Sequence, residues 1–225
     1  MAVFADRDDA GHALVGPLRQ LLMDASPSTD RPILLPLPRG GVPVAARIAD
    51  ELHLPMCALP VRKVGVPGHA ELAMGALASL GDTTEVMRHY GVIEACRVPP
   101  EAVGSAIAAE SDALRGLLRR YYGDSPAPDL RGRFAIIVDD GLATGATMTA
   151  AVRLTRRLGA RRVVVAVPVG SASARKRLAT EADDVLCLRE PMPFSAVSMG
   201  YRRFGPPSDE SVLEALRRHA EAESA

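Results

Sequence analysis

Asp139 and Asp140 follow the apolar run 134–138 and open a loop of Gly141, Leu142, Ala143, Thr144, Gly145, Ala146 and Thr147 that leads into a helical pattern. The loop has the makings of an anion cradle. Gly141 and Gly145 let the backbone turn tightly and approach a ligand, and Thr144 and Thr147 offer hydroxyls. Amides at a helix start have no intrahelical acceptor, so they and the helix dipole favour a negative group. Two carboxylates beside such a cradle need a separate reason. At about 5 Å and an effective dielectric near 20, each would repel a unit negative charge by roughly 3 kcal/mol. Ribose hydroxyls could donate to them, and a sugar ring gaining positive charge during bond cleavage would be stabilised by them. A phosphoribosyl group carries a 5′-phosphate, a vicinal diol and a reactive anomeric carbon at matching separations.

Rival phosphate motifs fit less well. No Lys follows Gly145, as a Walker A loop requires, and the spacing of Gly141 and Gly145 is not that of a dinucleotide fingerprint. An aspartyl phosphotransferase would want an acid two residues after its nucleophile, where Gly141 or Leu142 stands.

Three further sets could serve the same site. Arg39 precedes Gly40 and Gly41 at the end of an apolar run, placing a guanidinium and exposed amides where pyrophosphate could meet them. Arg62 and Lys63 precede a stretch containing Gly65, Pro67 and Gly68, so residues 62–75 read as a mobile loop that could close over the site. Phe194, Tyr201 and Phe204, three of only eight Phe and Tyr residues, fall in one irregular segment, where they could stack on a planar base or form a small satellite core.

These sets need a scaffold. Residues 8–23 have a helical apolar face, which the Ser26 to Thr29 stretch interrupts. Apolar strands are expected at 33–37, 55–61, 134–138, 163–169 and 185–188, with short strands within 84–98. Helices are expected at 43–52, 99–122, 145–158, 173–180 and 209–221. Strands apolar throughout, alternating with helices, predict an α/β fold with a parallel sheet covered on both faces. The expected division is a core over 1–190 and a segment over 191–225 that caps it.

The 225 residues suit one domain with appendages, and the formal net charge of zero argues against a polybasic surface for nucleic acid or membrane. Cys57, Cys96 and Cys187 are widely spaced, which fits a reducing cytoplasm better than a disulfide framework. The charged start of the chain lacks a signal-like apolar stretch.

The run from Ile136 through Thr147 resembles the signature of the type I phosphoribosyltransferases, and Phe4, Asp6-Arg7, Leu37-Pro38-Arg39-Gly40-Gly41, Val61-Arg62-Lys63 and Glu71-Leu72-Ala73-Met74-Gly75 resemble a group of that family whose acceptor is undefined. The resemblance implies a Rossmann-like parallel-sheet core with a hood built from terminal segments. It implies transfer of the 5-phosphoribosyl group from phosphoribosyl pyrophosphate to a small nitrogenous base, with Mg²⁺ and usually a homodimer. Asp139 and Asp140 would hold the ribose hydroxyls and bear on the metal mostly indirectly. The loop up to Thr147 would take the 5′-phosphate, and Arg39, Gly40 and Gly41 the pyrophosphate. Arg62 and Lys63 would open the closing loop, with Lys63 among the catalytic groups. Ala143 stands where some purine enzymes carry an acid, and Val66 where the orotate enzyme carries a second Lys, so the acceptor stays open. Other members of such a family bind phosphoribosyl pyrophosphate as a signal, and a ribose-phosphate hydrolase could use the same cradle.

Overall fold

The structure is a computed structural model describing residues 3–24, 31–123 and 125–220. The expected helix break at Ser26 to Thr29, and Glu221 of the expected last helix, lie outside the described residues. The main sheet is parallel, in the order β1 (Pro32–Pro36), β5 (Phe134–Val138), β6 (Arg162–Val169), β7 (Asp184–Arg189). Side chains alternate between its faces. Ile33, Leu35, Ala135, Ile137, Val163 and Val165 meet α5 (Ala146–Arg157) and α6 (Ala172–Leu178) on one side. Leu34, Phe134, Ile136, Val138 and Val164 meet α1 (Arg7–Met23), α2 (Gly41–Leu52) and α7 (Asp209–Ala220) on the other. Each fully buried aliphatic side chain contributes about 1.5–3 kcal/mol. Burial on both faces explains why the strands are apolar throughout.

Three local expectations change. Residues 62–75 are not a loop: β2 (Val61–Val66) and β3 (His69–Leu80) form an antiparallel hairpin with Gly68 at φ 78° in its turn. β4 (Thr83–Arg88) completes a second, three-stranded sheet, and α3 (Tyr90–Ala95) follows where a further strand was expected. Ala76, Ala78 and Leu80 of β3 enter the core beneath α5, while Met74 and Leu77 pack with Val103 and Leu114 of α4 (Pro100–Tyr122). From Met74 onward β3 is buried on both faces, while residues 67–72 at the tip of the hairpin are exposed. Residues 55–61 are not a full strand either. They run extended along β1, through bonds from Leu34 N–H to Pro55 O and from Cys57 N–H to Leu34 O, and Val61 then starts β2.

Gly116 of α4 has nothing within 4 Å of the space a Cβ would fill. Gly116→Ala is therefore expected to stabilise the chain by up to about 1 kcal/mol through helix propensity alone. That corresponds to a rise in melting temperature of roughly 2–4 °C, read by a thermal melt; a fall would mean that the helix face is covered.

The terminal segments meet over the carboxyl ends of β5 and β6. Phe4 N–H donates to Gly200 O (2.9 Å), Arg202 N–H to Phe4 O (2.9 Å) and Arg203 N–H to Ala5 O (3.0 Å). A 3-10 turn (Val197–Gly200) leads into this pairing. Phe4, Ala10, Val169 and Tyr201 form its small core, with Phe194, Val197 and Phe204 packed alongside. Among the described residues, no helix is long and apolar enough to cross a membrane.

Candidate active site

The chain leaves β1 through α2 towards the outer edge and leaves β5 through α5 towards β6. The connections diverge between these two adjacent strands, and such a switch point opens a crevice at the carboxyl edge of a parallel sheet. The loops after β1 and β5 meet there. Leu37 N–H donates to Val138 O (2.8 Å). A Cβ on Gly41 would lie 2.4 Å from Val138 O, and one on Gly40 would lie 2.2 Å from Asp140 Oδ2. Both glycines are therefore required by the close approach of β5's acidic end.

The two carboxylates differ. Asp139 Oδ1 accepts from Asp140 N–H (2.8 Å). Burial raises the Asp139 pKa well above the usual carboxylate range and the Asp140 charge adds to the rise, while that amide, Lys63 and Arg7 oppose it. Burial also raises the Asp140 pKa, against the pull of Arg7. Arg7 Nε and a terminal guanidinium nitrogen both reach Asp140 Oδ2 at 2.8 Å. Tyr201 donates its hydroxyl to the Asp140 backbone oxygen, and burial, with the acids nearby, pushes the Tyr201 pKa upward.

Past the acids, the loop residues diverge in role. Leu142 is buried, with its N–H on Val169 O (2.9 Å), so it anchors the loop. Gly141 faces the hood: a Cβ there would lie 2.3 Å from Val197 Cγ1. Ala143 and Thr144 are exposed, and their carbonyls accept from Ser171 (2.7 Å) and Arg177 (2.8 Å). Gly145, at φ 80°, is the N-cap of α5 and supplies no side-chain cap. The amides of Ala146 and Thr147 thus start the helix with no intrahelical acceptor.

A cleft of about 400 Å³ lies beside the acids, lined by Pro38, Arg62, Lys63, Asp139 and Thr147 among others. A second, of about 600 Å³, takes in Thr144, Gly145 and Ala146 and shares Lys63 with the first. Lys63 therefore stands between the acids and the cradle. Arg62 is held by Glu110 (2.7 Å). The Arg39 side chain is outside the first cleft, paired instead with Asp209 (3.3 Å), which also binds Arg120. Phe194 is half-buried against the hood core, and Tyr201 and Phe204 stack on each other with centroids 4.9 Å apart. The satellite-core reading of these aromatics accounts for their contacts. A larger groove of about 680 Å³ between α4 and α7 contains neither the acidic pair nor the cradle.

Sequence reasoning gave Arg7 no role. A signal existed: Asp6 caps α1 by accepting from Asp9 N–H (3.1 Å), which puts Arg7 at the first helical position. The helix dipole disfavours a cation there, so an Arg at that point calls for an acid elsewhere.

Comparison with known proteins agrees with this geometry. A family model described as phosphoribosyl transferase domain matches residues 17–202. A provisionally named phosphoribosyl transferase of Mycobacterium tuberculosis strain H37Rv, Rv0571c, is 40% identical over 218 residues, covering 97% of this chain and 47% of that protein. The chain thus spans about half the length of the curated relatives it matches. An adenine phosphoribosyltransferase of Mycobacterium marinum is 51% identical over 120 residues, 50% of this chain and 56% of that protein. The crystal structure of TT1426 from Thermus thermophilus aligns with a TM-score of 0.78 at 38% identity, over 97% of this chain and 99% of that one. By the span of the domain match and the 40% identity over 97% of its own length, the chain belongs to the phosphoribosyl transferase domain family.

Proposed function

We propose that the chain transfers the 5-phosphoribosyl group of phosphoribosyl pyrophosphate to a nitrogen of a small base and releases pyrophosphate. The observation that carries this reading is the placing of Asp139 and Asp140 between an uncapped helix start and the loop after β1, at the switch point of the sheet. The acids accept from the ribose hydroxyls. As the bond from the anomeric carbon to the pyrophosphate oxygen breaks, its electron pair leaves with pyrophosphate and the acids offset positive charge on the ring. The lone pair of the acceptor nitrogen then forms the new bond, and a proton carried by that nitrogen passes to the departing pyrophosphate or to water. The helix-start amides, with Thr144 and Thr147, receive the 5′-phosphate. Gly40 and Gly41 face pyrophosphate from one side and Arg62 and Lys63 from the other, and Arg39 joins when it exchanges Asp209 for pyrophosphate. Phe194 is assigned to the acceptor side of the hood. In this division, residues 1–190 form the core and residues 191–225 carry the hood, which the N-terminal segment helps to hold. The family resemblance supports a cytoplasmic homodimer as the working unit.

The donor set fits Mg²⁺ in one way only. Among the described residues, no group of three or more His, Cys, Asp or Glu could hold a metal by itself. Two adjacent carboxylates suit an ion that keeps its waters and is held mostly by substrate oxygens. When bound, Mg²⁺ would neutralise pyrophosphate charge.

The test is pyrophosphate release from phosphoribosyl pyrophosphate and Mg²⁺ across a panel of purine, pyrimidine and pyridine bases, with an Asp139→Asn/Asp140→Asn control. Base-dependent release that the control lacks is expected and identifies the acceptor. Binding without release for any base would favour a signal-binding role, and absence of binding would overturn the reading.

A further inference from the structure

We infer that Arg7 is a positioning residue for Asp140, so that the terminal segments, through one guanidinium, orient the carboxylate that meets the sugar. This inference rests on the function proposed above. Arg7 and Asp140 are separated by 133 residues, yet the guanidinium places two nitrogens 2.8 Å from the single oxygen Oδ2. Their side chains are only 11% and 14% exposed. Among the described residues, no protein group bonds Asp140 Oδ1, which leaves that oxygen for a ligand hydroxyl.

The guanidinium is itself held by further contacts. Its remaining terminal nitrogen donates to Gly205 O (2.7 Å), and its plane lies 4.0 Å over the Phe204 ring, which stacks on Tyr201. Tyr201 in turn donates to the Asp140 backbone oxygen. The acid is thus held at backbone and side chain by neighbours that contact one another. Gly40 closes the remaining side, since any side chain there would overlap Oδ2. Arg suits this place because a planar fork serves a carboxylate, a carbonyl and an aromatic face together, which the point charge of Lys cannot do.

The test is binding of phosphoribosyl pyrophosphate with Mg²⁺, measured by calorimetry on the full chain for wild type, Arg7→Lys, Asp140→Asn and the double variant, with thermal melts alongside. Arg7→Lys is expected to weaken binding by roughly tenfold or more, and Asp140→Asn likewise. The double variant should bind no more weakly than Asp140→Asn alone, because the two groups act through one interaction. Added guanidinium should recover part of the affinity of Arg7→Ala, at concentrations that leave the wild-type melt unchanged. If Arg7→Ala does not fold, the cycle built on Arg7→Lys stands without it. Additive losses, or wild-type affinity in Arg7→Lys, would overturn the role of Arg7 while leaving the proposed function in place. A wild-type chain that does not bind the probe would overturn both.

Discussion

Replacing Asp139 by asparagine is expected to raise the melting temperature of the metal-free, ligand-free protein at neutral pH while removing most of its turnover. Burial pushes the Asp139 carboxyl well above the ordinary range, and the neighbouring Asp140 adds to this. A carboxyl whose folded pKa exceeds its unfolded one stabilises the fold where it is protonated, and this contribution is lost as pH rises through the raised value. Asparagine stays neutral throughout and keeps an Oδ1 acceptor for the Asp140 amide. Melts of the two proteins should therefore coincide below the ordinary aspartate pKa and separate as pH rises to neutrality, with the variant the more stable. Turnover should fall by roughly 10²–10³-fold, the usual effect of removing one group aimed at developing charge. A variant that is both active and unchanged in stability would mean that Asp139 neither carries a destabilising charge nor meets the sugar. A site that costs the free protein stability is a common feature of catalysts.

Gly40→Ala should inactivate the protein without disturbing its backbone. Gly40 sits at φ −60° and ψ −39°, a conformation that alanine adopts freely. The conflict is with one side chain: the added Cβ would lie 2.2 Å from Oδ2, 2.6 Å from Cγ and 3.1 Å from Oδ1 of Asp140. The carboxylate must then swing away and lengthen its bonds to Arg7. A misplacement of about 1 Å in a reacting constellation can cost roughly 10²-fold, so kcat/KM should drop by at least that factor. Steady-state kinetics beside a far-ultraviolet spectrum would read both effects. Activity near wild type would mean that the acid tolerates relocation and that its orientation is not critical.

The core and the loop that follows β5 were legible in the sequence because each is written in contiguous residues. The all-apolar run 134–138 needs no distant information to be read as a buried parallel strand, and the acids and glycines after it announce the loop. β3 was not legible. Its Ala73, Gly75, Ala76, Ala78 and Ser79 have weak strand preference; Ala76 and Ala78 lie in the core under α5, and a Cβ on Gly75 would meet Met87 O of β4. The partition of Ala76 and Ala78 to one core and Met74 and Leu77 to another becomes visible only when both covering helices are in place. Arg39 shows a different limit. Its chemistry suggested an anion, and the anion it meets is the carboxylate of Asp209, 170 residues on in sequence. Arg7 shows a third, because no local pattern connects a helix start to an acid 133 residues on.

The joining of the two terminal segments also bears on the order in which a ribosome would make a working site. Arg7 emerges 198 residues ahead of Gly205, whose carbonyl it bonds. During synthesis β5 and the loop after it can take shape once residues up to 157 have appeared, before Phe204, which lies against the guanidinium, has emerged. Contacts of such long sequence separation form late, because the intervening chain must first be ordered. Once β7 has emerged, the nascent chain would hold all four strands of the main sheet with an acidic pair not yet clamped, and the clamp would form only when residues 200–205 fold back onto residues 4–7.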